Sequence, residues 1–272
     1  MAEIWDCTNE EYHADCDKIG SSMLRTVLSS PARYRAKYID KTILDKPSSA
    51  KLLGSCVHCL VLEPDEWDNL FCLRPDVDGR TKAGKEVLAK FAVSSLGKTE
   101  VKPDVHERAK AMANAVLSVD FIHDMIETGI KERAIVWEEH DLMCKCRPDI
   151  FVPNYSEDCD LILDLKTTDD PTPEKWASGS SFSPVRKYRY DLQGTHYAAG
   201  AQSLTGRSCV FGIIAIGSEE PHDVYVYDMT AWLSVGNKHR DLAFAMIRQC
   251  GERGWRRPEQ TGIYTLQPNN YD

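Results

Sequence analysis

Long hydrophobic runs are absent from this sequence of 272 residues. A membrane-spanning helix needs roughly 20 consecutive apolar residues, and no stretch approaches that length. The opening segment, MAEIWDCTNEEYHADCDKIG, is acidic and polar, whereas a secretory signal peptide is basic and then hydrophobic. We therefore expect a cytoplasmic chain with no membrane partner.

Paired cysteines are also scarce, although the chain contains ten cysteines. A structural zinc or iron–sulfur site is typically built from two clustered pairs. Cys56 and Cys59 have the CxxC spacing but lie in an apolar segment with a helical pattern. Cys144 and Cys146 have no second pair that would complete a site. The cysteines are therefore predicted to be reduced packing residues.

Positive charge is in deficit, with 33 lysines and arginines against 42 acidic residues and a net charge of −9. Because phosphate binding relies on lysine and arginine, this balance argues weakly against a nucleic-acid partner. Local basic clusters nevertheless occur at Arg80, Lys82 and Lys85 and at Arg186, Lys187 and Arg189. Such clusters are more often solvated surface than binding sites, so charge alone assigns no function.

Internal repeats and low-complexity linkers are missing as well, and 42% of the residues are hydrophobic. We therefore expect a single domain over residues 1–272, with a mainly helical part at 1–130 and a sheet-containing part at 131–272. Helices are predicted at SMLRTVLSS after a cap at Ser21, at PARYRAKYI, KLLGSCVHCLVL, GKEVLAKFAVSS and VHERAKAMANAVLSV, and at about 188–204 and 230–251. Strands are predicted at ERAIVWEEH, LMCKCRPDIFV, LILDLKTT, CVFGIIAIG and DVYVYDM. This order predicts an α/β fold with a mixed central β-sheet flanked by helices.

Two charged residues interrupt the apolar strand LILDLKTT. Because side chains alternate faces along a strand, Asp164 and Lys166 share one face, and the leucines share the other. The simplest interpretation is a structural ion pair. If the preceding strand forms a hairpin with this one, however, Asp149 lies close to Asp164. Paired carboxylates suit a hard divalent cation, and a neighbouring lysine can orient or help deprotonate the water that attacks a phosphorus.

A second match to the same pattern shows how short the motif is. Pro75-Asp76 is followed by Glu100-Val101-Lys102, but Glu100 lies in SLGKTEVKPD, a polar segment predicted to be a loop. The apolar context of Asp164 therefore separates the two matches.

Helical residues on either side of the strands add to the pattern. Gln193 and Tyr197 are four residues apart and so share a helix face with Tyr190. His58 lies in an apolar helix and, taken alone, is more typical of a hydrogen-bonded core histidine than of a ligand. The tyrosines, taken alone, are typical of an aromatic packing stripe.

Taken in order, a helical histidine, Pro-Asp, Asp-x-Lys and Gln-x-x-x-Tyr resemble the PD-(D/E)xK motif of RecB-like nucleases. Longer segments are similar to the C-terminal nuclease domain of exonuclease VIII, the RecE-type family: GSCVHCLVLEPDEW, RTKAGKE, CKCRPDIFVP, LILDLKTT and YRYDLQGTHYAAGA. The N-terminal EEYHA, IGSSML and SPARY resemble it too, so the likeness covers most of the chain. One departure is that Asp164 stands where many relatives have glutamate.

The resemblance implies an exodeoxyribonuclease that uses Mg²⁺, or Mn²⁺ in its place, and degrades duplex DNA from the 5′ end. It further implies a ring-shaped homo-oligomer, and a RecT-type annealing protein that receives the 3′ single strand. The implied metal ligands are His58, Asp149, Asp164 and the Leu165 carbonyl, with Lys166, Gln193 and Tyr197 completing the catalytic set. The implied DNA contacts are Tyr190 and the two basic clusters, and Arg80 is the favoured contact to a 5′ phosphate.

Other functions stay open at this stage. They are a DNA-binding module without catalysis, a nuclease of different polarity or substrate, and a structural protein with buried ion pairs.

Overall fold

The computed structural model describes residues 2–44, 46–176 and 182–255. A five-stranded sheet lies at its centre, with helices on both faces. The strands are β1 (Glu3–Trp5), β2 (Phe71–Leu73), β3 (Thr99–Val101), β4 (Ile130–Lys131), β5 (Ala134–Glu139), β6 (Leu142–Cys146), β7 (Ile150–Ser156), β8 (Cys159–Thr168), β9 (Ser208–Gly217) and β10 (Val224–Asp228). The helices are α1 (Asn9–Ala14), α2 (Ser21–Ser29), α3 (Pro31–Tyr34), α4 (Ser49–Leu62), α5 (Trp67–Leu70), α6 (Lys82–Ser94), α7 (Pro103–Leu117), α8 (Asp120–Thr128), α9 (Pro173–Trp176), α10 (Pro184–Tyr188), α11 (Tyr190–Thr205) and α12 (Thr230–Arg253). A π-helix (Arg35–Ile39) continues α3, and a 3-10 helix (Pro64–Glu66) precedes α5.

The central sheet has the strand order β10-β9-β8-β7-β4. β8 and β9 pair in parallel along their whole length, and the other neighbours pair antiparallel. The parallel step needs a crossover, which α11 provides. A mixed central sheet flanked by helices is the α/β fold that the sequence predicts.

The predicted strand LMCKCRPDIFV is wrong, because the structure divides it into two strands. β6 pairs with β5 in a separate three-stranded sheet with β1, whereas β7 belongs to the central sheet. The break falls at Arg147-Pro148-Asp149, where proline has no backbone N–H for a sheet ladder. The strands that were predicted to form one sheet therefore form two, and the chain bends where it carries Asp149.

The predicted alternation along β8 is confirmed. Leu161, Leu163 and Leu165 lie in one hydrophobic core with α4 and α7, whereas Ile162 lies in another with α2, α11 and α12. Burying a leucine side chain contributes about 1.5–3 kcal/mol, so the leucine face fixes which way the strand is turned. Asp164 is thereby directed to the other face, where it is 1% exposed.

Helix α11 packs very closely on β9. A Cβ atom at Gly194 would lie 2.4 Å from a ring carbon of Phe211, a distance that a side chain could not occupy. Glycine therefore allows the helix to approach the sheet and brings the residue before it, Gln193, over β8.

Two local expectations from the sequence are wrong, and a third is confirmed. Ser21 does not cap α2: it is the first helical residue, and the N-cap is Gly20. The segment around Glu100 is not a loop, because β3 pairs with β2 in a small parallel sheet, although Glu100 itself is exposed. All ten cysteines are free, and Cys56, Cys59, Cys144 and Cys146 are buried, as expected of packing residues.

Among the described helices, none combines the length and apolar character needed to cross a membrane.

Candidate active site

A cleft of about 1430 Å³ opens at the end of β8 where its polar residues emerge. α4 forms one wall, and α10 with α11 forms the other. It is lined by many of the residues predicted from the sequence: His58, Asp149, Asp164, Leu165, Lys166, Lys187, Tyr190, Gln193 and Tyr197.

Asp149 and Asp164 lie side by side at this end of the sheet. The hairpin pairs Ile150 with Leu163, so the next residues in each direction face each other across the ladder. Asp149 Oδ2 accepts a hydrogen bond of 2.6 Å from the Leu165 backbone N–H. Burial raises the pKa of both carboxyls, to about 6 for Asp164, although the Lys166 ammonium acts against the shift.

Lys166 contacts the buried carboxylate of its own strand. Its ammonium forms an ion pair with Asp164 Oδ2 and lies 5.7 Å from the centre of the Tyr190 ring. Burial alone would lower the pKa of Lys166, but Asp164 and Asp149 outweigh it and raise the pKa above its ordinary value. Lys166 is therefore a fixed cation at the cleft floor, suited to donating hydrogen bonds rather than to accepting a proton.

His58 reaches the same place from α4. The helix begins after the side-chain cap of Ser48, and Gly54 lets it pack against β8, since a Cβ there would lie 3.2 Å from Thr167 Oγ1. Nε2 of His58 lies 2.8 Å from the Leu165 carbonyl oxygen, and Nδ1 lies 3.6 Å from Asp149 Oδ2. Burial lowers the pKa of His58, but Asp149 and Glu132 more than offset this and raise the pKa to about 9.

Glu132 is a site residue that the sequence analysis did not identify. It follows β4 and has a left-handed backbone with φ of 51°, which costs a residue with a side chain on the order of 1–3 kcal/mol. Its Oε2 lies 3.2 Å from Arg147 Nε, and its Oε1 lies 3.8 Å from His58 Nδ1. No spacing relates Glu132 to the motif, so the sequence offered no signal for it.

Gln193 and Tyr197 face the carboxylates from α11. Gln193 Nε2 donates a 2.8 Å hydrogen bond to Asp164 Oδ1. Tyr197 is buried and packs edge-on against Phe211, with its ring 6.2 Å away, while still lining the cleft. The two residues therefore differ in role: Gln193 holds a carboxylate, and Tyr197 builds the floor.

The two basic clusters lie in different places. Arg80, Lys82 and Lys85 are not among the described residues that line the cleft, and Arg80 is bound to Asp78 at the exposed start of α6. Lys187 lines the cleft. The two arginines of the same cluster contact other residues. The Arg186 guanidinium lies 5.4 Å from the centre of the Trp232 ring, and Arg189 forms an ion pair with Asp191.

A smaller pocket of about 280 Å³ adjoins the cleft. It shares Lys166, Tyr188, Tyr190 and Gln193 with the cleft and adds Ser21, Ser22, Arg25 and Arg189. These four shared residues form a partition between the two cavities. The sequence analysis did not single out Arg25. Its guanidinium and that of Arg189 both line the smaller pocket, and Arg25 donates a hydrogen bond to the Tyr188 carbonyl oxygen.

The donor set fits a hard divalent cation. Asp164 Oδ2 is buried, and its partner among the described residues is the Lys166 ammonium, so the carboxylate keeps lone pairs that a cation could share. Ligand atoms of His58, Glu132 and Asp149 all lie within 4.8 Å of one another. Carboxylate oxygens with one imidazole are suited to Mg²⁺ or Mn²⁺.

Comparison with known proteins agrees with this geometry. The family described as a PDDEXK-like domain of unknown function (DUF3799) matches residues 20–257. The structure is similar to the crystal structure of a candidate exonuclease from Eubacterium rectale, with a TM-score of 0.65 and 17% identity, over 97% of this chain and 96% of that one. No curated protein matches the sequence significantly. The fold, the carboxylate pair and the family match together make this chain a member of the PDDEXK-like family, with the fold of a PD-(D/E)xK nuclease.

Proposed function

We propose that the protein is a Mg²⁺-dependent exodeoxyribonuclease that degrades duplex DNA from the 5′ end and leaves 3′ single strands. The observation that carries this proposal is the arrangement at the end of β8. Asp149, Asp164 and Lys166 converge on one cleft, and Gln193 holds Asp164 in position. A structural ion pair would need neither the adjoining carboxylate nor the open cleft.

Asp149, Asp164, His58 and the Leu165 carbonyl are the groups that would hold the cation. When bound, Mg²⁺ would neutralise charge on the phosphate oxygens and make a nearby water more acidic. Mn²⁺ offers the same chemistry and binds imidazole more readily.

The remaining steps belong to the side chains. The Lys166 ammonium donates a hydrogen bond to the attacking water or to a phosphate oxygen, and so stabilises the charge that develops in the transition state. The water oxygen forms a bond to phosphorus while the bond from phosphorus to the 3′ oxygen breaks. The water passes one proton to solvent, and the departing 3′ oxygen takes up a proton from solvent. The shortened strand then carries a new 5′ phosphate.

The smaller pocket supports the proposed polarity. A 5′ phosphate needs cations near the cleaved bond, and arginine binds phosphate oxygens with paired hydrogen bonds. Arg25 and Arg189 line the pocket, which is separated from the cleft by the partition that contains Lys166. A terminal phosphate held there would leave the next phosphate in the cleft. Arg189 already pairs with Asp191, so Arg25 is the stronger candidate.

The proposed partners come from the resemblance to RecE-type nucleases. An enzyme that exposes 3′ single strands serves recombination by strand annealing, and we propose a RecT-type annealing protein as the recipient. A ring-shaped homo-oligomer would let this acidic chain enclose duplex DNA within a basic channel. Light scattering coupled to size-exclusion chromatography would test the oligomer, and a monomer at micromolar concentration would contradict it.

A catalytically inactive DNA-binding module is the main alternative. It would have no use for two buried acidic side chains next to each other, Asp149 and Asp164, since burying neighbouring carboxylates is costly. This cost is understandable if a cation binds there.

End-labelled DNA tests the proposal directly. Linear duplexes labelled at the 5′ or the 3′ end are incubated with the protein in Mg²⁺ or in EDTA. We expect rapid release of the 5′ label as mononucleotide, late release of the 3′ label, and no release in EDTA. Early loss of the 3′ label would reverse the polarity, and cleavage of circular DNA would indicate an endonuclease. Tight binding without cleavage in Mg²⁺ would favour the inactive module.

A further inference from the structure

Glu132 lies in the cleft yet belongs to no part of the motif. Its side chain is only 12% exposed, which is unusual for a glutamate unless its charge is paired. Its backbone N–H donates to the Asp149 carbonyl at 3.2 Å, so the two acidic residues are held together by their main chains. The main chain of Glu132 is therefore tied to that of Asp149 at the strand end.

Arg147 fixes the orientation of this glutamate. Its Nε donates to the Glu132 carbonyl at 2.8 Å and lies 3.2 Å from Glu132 Oε2, and one terminal nitrogen donates to Asn9 Oδ1 at 2.6 Å. With Oε2 occupied by arginine, Oε1 is the oxygen that remains beside His58. One end of the carboxylate is thus neutralised while the other is presented to the site.

The groups around Oε1 are those expected of cation ligands. His58, Glu132 and Asp149 offer one ligand atom each within a span of 4.8 Å. Asp164 adds a buried carboxylate next to Asp149, with the Lys166 ammonium paired to its Oδ2. A structural ion pair between Glu132 and Arg147 would account for Oε2 alone and not for the placement of Oε1.

We propose that Glu132 is a direct ligand of the divalent cation, a third carboxylate supplied by the end of β4. This inference rests on the proposed function only in that both require a cation at this site. It adds a residue from outside the motif to the ligands predicted from the sequence.

The test measures cation binding without DNA cleavage. Mn²⁺ is titrated calorimetrically into the metal-free protein, its Glu132→Gln variant, and a Glu138→Gln control from the exposed face of β5. Glutamine keeps an oxygen for Arg147 but is a weaker ligand, so we expect Glu132→Gln to bind Mn²⁺ on the order of tenfold more weakly or worse. The control should bind like the wild type. Melting curves recorded without metal would show whether the variant is folded.

A second comparison distinguishes direct metal binding by Glu132 from an indirect effect in which Glu132 only orients His58. The two proteins compared are the His58→Ala variant and the same variant with Glu132→Gln added. A direct ligand still loses Mn²⁺ affinity there, whereas a residue that only orients the imidazole loses nothing further. Unchanged affinity in either background overturns the proposal, as does a wild-type protein that binds no Mn²⁺. Normal Mn²⁺ binding with no cleavage of any DNA would overturn the nuclease assignment and leave the ligand assignment standing.

Discussion

Gln193 Nε2 lies 2.8 Å from Oδ1 of Asp164, so an amide on α11 holds a carboxylate on β8. Asp164 has a lysine on one oxygen and this amide on the other. Its orientation is therefore set before substrate or cation arrives, which is the condition for a catalytic carboxylate to act without reorganisation.

Replacing Gln193 should lower turnover more than it lowers DNA affinity. Gln193→Ala removes a hydrogen bond that orients Asp164, and we expect kcat to fall by roughly 10–100-fold with little change in KM. Gln202→Ala, on an exposed position of the same helix, is the control. Steady-state rates on linear duplex provide the measurement. A raised KM with unchanged kcat would instead indicate that Gln193 contacts DNA.

Lys166→Ala and Asp164→Ala should each abolish cleavage while the protein stays folded in Mg²⁺. The lost electrostatic stabilisation should reduce the rate by about a hundredfold or more. Lys90→Ala, on the exposed surface of α6, should behave like the wild type. Rates are compared with circular-dichroism melting curves for every variant. If Lys166→Ala kept full activity, the catalytic role would be wrong, and if it unfolded the chain, the ion pair would be structural.

Cation binding should strengthen as pH rises. Because Asp149 and Glu132 raise the pKa of His58 to about 9, the imidazole is protonated at neutral pH and must lose that proton to act as a ligand. Affinity for Mn²⁺ should therefore rise about tenfold per pH unit up to pH 9 and level off above it. Calorimetry in two buffers of different ionisation enthalpy should detect release of the proton.

The His58→Ala variant provides the control for that experiment. It should show a flatter pH dependence, and its activity should be recovered better by Mn²⁺ than by Mg²⁺. Equal loss in both metals, together with a lowered melting temperature, would assign His58 to packing.

We expect Arg25→Ala and Arg80→Ala to differ in their effect on recognition of a 5′ phosphate at the DNA end. Arg25 lines the pocket beside Lys166, whereas Arg80 is bound to Asp78 outside the described lining of the cleft. Arg25→Ala should reduce the preference for a 5′ phosphate over a 5′ hydroxyl by about tenfold, since a charge-assisted hydrogen bond contributes about 1.5–3 kcal/mol. Arg80→Ala should leave the preference unchanged. The reverse result would restore Arg80 as the end sensor.

The close packing of α11 predicts a stability difference between two glycines. Gly194→Ala would force a methyl group against Phe211 and should cost about 1–3 kcal/mol of unfolding free energy. Gly251→Ala, in α12 with open space around it, should stabilise by about 0.5–1 kcal/mol. Urea denaturation measures both. Similar effects at the two positions would contradict the close contact.

Local patterns were sufficient to predict β8 but not the bounds of its hairpin partner. Alternation along the strand placed Asp164 and Lys166 on one face, and the hairpin that the sequence analysis made the condition for a nearby Asp149 is present. The break before β7 was missed because Pro148 sits inside an otherwise continuous apolar pattern. Which sheet each half joins depends on pairing with β1 and with β4, which are remote in sequence.

Two helical histidines show where local patterns reach their limit. His58 lies beside the acidic cluster, whereas His196 is fully buried and lies 3.1 Å from the carbonyls of Ile19 and Lys145. Burial lowers the pKa of His196 to about 3, so it stays neutral as a packing residue. Neither environment can be read from adjacent residues, because the partners of both histidines come from distant segments. The same reason explains why Glu132 and Arg25 were missed.

The two-faced burial of β8 also restricts how this chain can change length during evolution. Adding or removing one residue within Cys159–Thr168 would exchange the faces of everything beyond it, turning Lys166 into the leucine core and a leucine into the cleft. Compensation would require the same change in β9, because the two strands are paired residue by residue along their full length. Insertions and deletions among relatives should therefore gather in the turns at 157–158 and 218–223. The number of residues between Asp149 and Asp164 can then vary, while the hairpin keeps the two acidic residues opposite each other.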